Sequence, residues 1–249
     1  MAQSESMKTS NKIFIYGRHA VIEALKNTPS VITSLFVDPN KKDSELTKLA
    51  QKAGLKISPL KNNDQIANDQ VNHQGVVAKV SLEKLMKPYE TFIKNLKVQK
   101  NTALVILDEI QDPHNVGAVI RSAAAFGVSG ILIPKHNQAP VTGAVVKVSA
   151  GTAFQIPLVQ IGNVNNVIRE LKNKGFWVYG LDSEGNQKLD KENFEKPAVF
   201  ILGNEGSGIR AKTKEHCDIV LSIPMNPKCE SLNAAASCAV ALYAWSIKQ

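Results

Sequence analysis

Two apolar runs in the last fifth of the chain break directly into glycine, proline or small polar residues, and they constrain the fold more than any other feature. The run at 198–202 enters Gly203-Asn204-Glu205-Gly206-Ser207-Gly208. The run at 219–223 enters Pro224-Met225-Asn226-Pro227 and leads on to Glu230-Ser231-Leu232-Asn233. A short, continuously apolar run bounded by turn residues reads as a strand covered on both faces. Such strands belong to parallel sheets, which present backbone amides and carbonyls to ligands at their carboxyl edge. From Thr102 onward the pattern supports this. Strands are predicted at 103–107, 130–133, 154–159, 176–180, 198–202 and 219–223. Helices are predicted at 116–126, 141–149, 164–173 and 231–245. The expected fold class is α/β, with a parallel sheet in the C-terminal domain.

A second, smaller α/β module is predicted at 13–82, with helices at 17–26 and 44–52, a helical turn at 63–69, and strands at 31–37, 55–57 and 75–80. Residues 83–100 are charged and interrupted by Pro88, which reads as an interdomain linker with a helical piece at 89–96. Residues 1–12 are polar and lack the apolar core of a signal peptide, so a disordered N-terminus is expected. No apolar run approaches the ~18 residues of a membrane span. The three cysteines, Cys217, Cys229 and Cys238, show no metal-ligand spacing. Reduced thiols, no metal site and a cytoplasmic location are expected.

The chain carries 30 Lys+Arg against 22 Asp+Glu, a net charge of +8. The excess is uneven: +4 over residues 1–82, +3 over 83–100 and +1 over 101–249. A polyanion partner follows, drawn mainly by the N-terminal portion. His19 and His73 in that portion are candidates for RNA contact or for surface and capping roles.

Three clusters in the C-terminal domain carry chemistry. The first is Asn115-x-Gly117-x-x-x-Arg121, a guanidinium among Val, Ala and Ile neighbours on a predicted helix, with Asn115 placed to cap it. In the second, Glu205 is held between glycines after a core strand; the G-x-G-x-x-G spacing of dinucleotide enzymes is absent, which disfavours a nucleotide-dependent oxidoreductase. In the third, Ser231 is placed to cap the last helix and Asn233 falls inside its first turn. The alanines that follow, Ala234 to Ala236, Ala239 and Ala241, imply close packing against another element.

Taken together these clusters resemble the three motifs of the SpoU family of RNA ribose 2′-O-methyltransferases, of the SPOUT class. The match is carried by Asn115, Gly117 and Arg121; by Gly203, Glu205 and Gly208; and by Ile223, Pro224, Met225, Ser231, Leu232 and Asn233, with Ser149-Ala150-Gly151 between. The segments Tyr16-Gly17-Arg18-His19-Ala20-Val21 and His73-Gln74-Gly75-Val76-Val77-Ala78 are similar to the RNA substrate-binding domain found in one subgroup, and the chain as a whole most resembles the bacterial members that methylate a guanosine in the P loop of the 23S rRNA peptidyl-transferase centre. The resemblance implies a trefoil knot in the catalytic domain, 101–249, and a homodimer formed through the last helix and the knot region. It also implies an S-adenosylmethionine pocket at Leu202, Gly203, Ile223, Met225 and Leu232. Arg121, Asn115, Glu205, Ser231 and Asn233 are the implied catalytic set, with Arg121 as base or as phosphate and alkoxide stabiliser. Asn115 and Asn233 would orient the ribose and Arg121. Pro227 departs from the family's usual glycine and loses a backbone donor. A tRNA ribose methyltransferase and an inactive RNA-binding assembly factor are the alternative readings.

Overall fold

The computed structural model describes residues 11–60 and 73–249. The turn expected at 63–69 and most of the expected disordered terminus lie outside the described residues. The chain divides into two compact units, Met1–Leu85 and Met86–Gln249.

The first unit runs β1 (Lys12–Tyr16), α1 (Arg18–Asn27), β2 (Ile32–Val37), α2 (Ser44–Lys52), β3 (Ile57–Pro59), β4 (Val76–Ser81) and α3 (Leu82–Leu85). The sheet order is β1-β4-β2-β3, with β4 antiparallel to both β1 and β2, and β3 parallel to β2. Gly17 makes the turn from β1 into α1 at φ 92 and donates its N–H to the Val76 carbonyl at 3.0 Å. A left-handed φ there suits glycine. Asp43 caps α2 by accepting the Leu46 N–H and also pairs with Arg18. His73 takes a local role, its Nδ1 accepting the Gly75 N–H at 3.0 Å.

The second unit contains β5 (Met86–Pro88), α4 (Tyr89–Asn95), β6 (Ala103–Asp108), α5 (Pro113–Ala125), β7 (Gly130–Pro134), α6 (Gly143–Val148), β8 (Leu158–Ile161), α7 (Val164–Asn173) and β9 (Trp177–Leu181). It continues through β10 (Gln187–Lys188), β11 (Ala198–Gly203), α8 (Ala211–Lys214), β12 (Ile219–Ser222) and α9 (Ala234–Ser246). Its sheet, ordered β10-β12-β9-β11-β6-β7-β8-β5, is parallel at every pairing. The helical piece expected at 89–96 is α4, but its setting is not that of the expected linker: β5 pairs with β8, and α4 buries Tyr89, Phe92 and Ile93 in the core. The Phe92 ring fills the space beside Gly130, where an added Cβ would lie 2.7 Å from it. Charged residues at Lys87, Glu90 and Lys94 mask that apolar stripe in the sequence. The strand expected at 154–159 also splits, with Thr152–Phe154 in a 3₁₀ turn before β8.

Every residue of β6 and β11 is buried, as a sheet covered on both faces requires. The chain lays β7 and β8 on one side of β6, returns to place β9 two positions away on the other, and later fills the gap with β11. The carboxyl ends of β9, β11 and β12 therefore meet where strand order reverses, the usual site of ligand crevices in such sheets. Helix α9 packs on α5 and β11, and Ala235, Cys238, Ala241, Leu242 and Trp245 form its buried side.

Candidate active site

A cleft of about 600 Å³ opens at those strand ends. Leu202, Gly203, Ile223, Met225 and Leu232, the residues expected to hold the cofactor, all line it, together with Glu205 and Ser231. Its inner wall is the 203–208 turn. A Cβ on Gly203 would stand 2.2 Å from the Gly208 carbonyl carbon and the Ile209 nitrogen, so no other residue fits there. Asn204 and Gly208 exchange backbone bonds of 2.9 Å, and the Asn204 Oδ1 accepts from the Gly206 and Ser207 N–H groups. A wall of backbone amides and small residues, of a volume usual for a cofactor site, fits S-adenosylmethionine. Beyond Met225, Pro227 sits second in a turn closed by the Cys229 N–H on the Asn226 carbonyl at 2.9 Å. Proline is favoured at that position, and its missing donor is not required there.

Behind this wall a chain of side-chain bonds joins segments far apart in sequence. Glu205 accepts from the backbone N–H groups of Gln111 and Asp112, both at 3.2 Å, and from Asn115 Nδ2 at 2.8 Å. Asn115 Oδ1 accepts from Asn233 Nδ2 at 2.8 Å, and Asn233 Oδ1 accepts from the Ala235 and Ala236 N–H groups. Both expected caps move accordingly. Asp112 caps α5 with Pro113 in its first turn, freeing Asn115 for the network; Asn233, not Ser231, caps α9. Desolvation pushes the Glu205 pKa up. Bonds from Asn115 and from the N–H groups of Glu205 itself, Gln111 and Asp112 outweigh it, so the carboxyl is held below its ordinary range.

Arg210, which sequence reasoning missed, fastens the far end of the turn. Its guanidinium reaches the fully buried Asp108 at 2.5 Å and Glu109 at 3.0 Å. The Asp108 bond is the main cause of its raised pKa. The near end is tied to the same place, because Asn204 Nδ2 donates to the Glu109 carbonyl at 2.9 Å. Glu109 itself sits at φ 69, left-handed for a non-glycine residue and held there by these bonds. The available signal was a cation directly after a glycine turn, facing the Asp108-Glu109 end of a core strand.

Arg121 stands apart from this network. It is exposed on α5 and makes no ion pair with any described residue, so a salt bridge does not explain it. Asn115 and Asn233 bond to each other and, through Asn115, to Glu205 rather than to Arg121. Gly117, one turn before Arg121, seats α5 on α6: an added Cβ would meet Val148 at 2.7 Å and the Val145 carbonyl at 2.8 Å.

The family model described as the SpoU rRNA Methylase family matches residues 102–243. The chain belongs to the SpoU rRNA methylase family. A second model, RNA 2′-O ribose methyltransferase substrate binding, matches residues 14–86. Among relatives, the 23S rRNA (guanosine-2′-O-)-methyltransferase RlmB of Coxiella burnetii is 36% identical over 234 residues, covering 92% of this chain and 93% of its own. The RlmB of Neisseria meningitidis is 35% identical and covers 94% of each chain. The SpoU methyltransferase AviRb from Streptomyces viridochromogenes, solved in complex with AdoMet, superposes with a TM-score of 0.79 at 23% identity, over 96% of this chain and 90% of its own; at that identity it supports the fold alone. The SpoU tRNA-modifying enzyme of A. aeolicus covers only 61% of this chain and 77% of its own, with a TM-score of 0.53 at 25% identity.

Proposed function

We propose that the chain transfers a methyl group from S-adenosylmethionine to the ribose 2′-hydroxyl of a guanosine in 23S ribosomal RNA, with the P loop as its region of action. The observation that carries this reading is the bonded path from the glycine-walled cleft through Glu205, Asn115 and Asn233 to the first turns of α5 and α9. Relatives named for the 23S rRNA activity span 92–94% of the chain, whereas the tRNA enzyme spans 61%, which favours ribosomal over transfer RNA.

When bound, S-adenosylmethionine supplies an electrophilic methyl on a sulfonium with its own leaving group. The chain's task is alignment and charge control. Leu202, Gly203, Ile223, Met225 and Leu232 hold the cofactor, in the segments that form the knot on this reading. Ser231 at the cleft lip contacts the nucleotide. Arg121 grips the phosphate beside the reacting ribose and stabilises the developing alkoxide. A guanidinium is a standing cation with no lone pair free to take a proton, so it is poorly suited to act as a base and well suited to bind a phosphate. Glu205, Asn115 and Asn233 keep the two helices in register with the cleft. Val240 and Tyr243 on α9 and Ile247 just past its end, exposed at 39%, 55% and 61%, suit burial against a second copy and support the homodimer.

The test is methylation of 23S and tRNA transcripts with labelled cofactor, with the modified ribose mapped. Label on a 23S guanosine is expected, and label confined to tRNA overturns the reading. Arg121→Ala is expected to abolish transfer while S-adenosylmethionine affinity, by calorimetry, stays within about threefold; near-full turnover removes Arg121 from the site.

A further inference from the structure

The near-neutral charge of residues 101–249 conceals a segregation. No Asp or Glu occurs anywhere in residues 113–169, a stretch holding Arg121, Lys135, Lys147 and Arg169, whereas residues 170–249 hold ten acidic residues. Arg169 is engaged locally with the Asn165 carbonyl and the Asn166 side chain. Arg121, Lys135 and Lys147 are exposed and form no ion pair with any described residue. Their elements pack together: Gly117, one turn before Arg121, lies on Val148, the neighbour of Lys147.

Lys135 and the exposed His136 sit on the 135–140 loop after β7, at the same carboxyl edge as the cleft. That loop is fastened to the turn that bonds Glu205. The Gln138 side chain bonds both the N–H and the carbonyl of Ile110, at 3.0 and 2.8 Å. The Ala139 N–H donates to the same carbonyl at 2.9 Å, and Gln111 Nε2 donates to the Asn137 carbonyl at 2.8 Å. Asn137 holds φ 54 within this lattice. A loop ordered in advance presents Lys135 at little further entropic cost. Glu109, whose carboxylate meets this loop at Asn137, is already paired with Arg210, and unpaired cations on a stretch with no carboxylate of its own suit a polyanion backbone.

We infer that Lys135 and Lys147, with His136 beside them, form a second RNA-contacting surface on the catalytic unit that grips phosphates flanking the target ribose. It is additional to the basic N-terminal module. This inference rests on the proposed RNA methyl transfer, since it names where that substrate is held.

The test uses the full chain, a 23S rRNA transcript, and two double variants, Lys135→Met/Lys147→Met and Lys135→Glu/Lys147→Glu. The Met variant removes charge without adding repulsion. Its slope of log affinity on log salt should fall by about 1.4–1.8, from two phosphate contacts at 0.7–0.9 each. The KM for RNA should rise roughly tenfold, with the Glu variant worse, while S-adenosylmethionine affinity stays at the parent value. An unchanged salt slope and KM overturn the surface, as does a loss of S-adenosylmethionine affinity in the Met variant, which would make the lysines structural. Failure of the parent to methylate the transcript is a separate result; it overturns the functional reading and is scored before any variant is compared.

Discussion

Glu205→Gln isolates the joint on which the candidate site turns. The carboxylate accepts three bonds, from Asn115 Nδ2 and the Gln111 and Asp112 N–H groups. Glutamine keeps one carbonyl oxygen but turns an NH₂ toward donors, so at least one bond is lost and another is opposed. Bonds to a charged acceptor contribute ~1.5–3 kcal/mol each when buried. Glu205 is exposed, so each is discounted to below ~1 kcal/mol, and the expected loss is about 1–2 kcal/mol of unfolding free energy. The perturbation reaches Asn115, which is buried at 7% exposure and would keep only its bond to Asn233. If the loosened turn reorders only on ligand binding, the same energy appears as a roughly 5- to 30-fold weaker S-adenosylmethionine affinity.

Urea unfolding of parent and variant across pH supplies the check. The folded pKa of Glu205 lies below its ordinary value of 4.5. The carboxylate's contribution is therefore complete above the unfolded pKa and is lost as pH falls through the folded one. The parent's advantage should be full at pH 7 and disappear as acidification carries the carboxylate through its lowered folded pKa. No difference at pH 7, or a difference that persists undiminished into acid, refutes the reasoning.

Arg210→Ala leaves the fully buried Asp108 without its cation. Breaking a buried pair costs ~3–5 kcal/mol; with Arg210 44% exposed, about 1–3 kcal/mol is expected in urea unfolding, and Arg210→Lys should recover only part because an ammonium lacks the fork that reaches both Asp108 and Glu109. Gly203→Ala forces a Cβ to within 2.2 Å of backbone atoms. Calorimetry should show S-adenosylmethionine binding weakened by roughly tenfold or more, with helical circular dichroism retained.

The parts of the fold legible in the sequence are those set by local chemistry. Helices α2 and α7 fall at the expected 44–52 and 164–173, where Asp43 and Asn163 cap them and glycines follow their ends. Strands β6 and β11 are legible because burial on both faces leaves no polar interruption until their last turn. At the start of α5 the Asp112-Pro113 pair is the stronger signal, and reading Asn115 as the cap places the helix three residues late. Strand β1 was hidden because its KIFIY pattern abuts a polar tail, and β5 because surface charge dominates its composition, whereas α4 falls at the helical piece expected at 89–96. Within the site, residue types were legible and their pairings were not. Glu205 and Asn115 are 90 residues apart, and Asn115 and Asn233 are 118 apart. Which amide faces which carboxylate is decided by the sheet, not by any local spacing.

That dependence on the sheet explains why one turn carries so much. Residues 108–112 follow directly from β6, a strand buried along its whole length between β11 and β7. Their backbone and side chains receive the cleft wall through Asn204, Glu205 and Arg210, start α5 through the Asp112 cap, and seat the 135–140 loop through Gln138. In-line transfer tolerates little misplacement, and a shift of about 1 Å can cost two orders of magnitude in rate. A site whose cofactor wall, arginine helix and lysine loop each hung from separate flexible loops would accumulate three independent errors. Referring all three to the end of one central strand makes their errors common, so relative positions survive even when the whole edge moves. The left-handed Glu109 at φ 69 is the local strain that this arrangement requires.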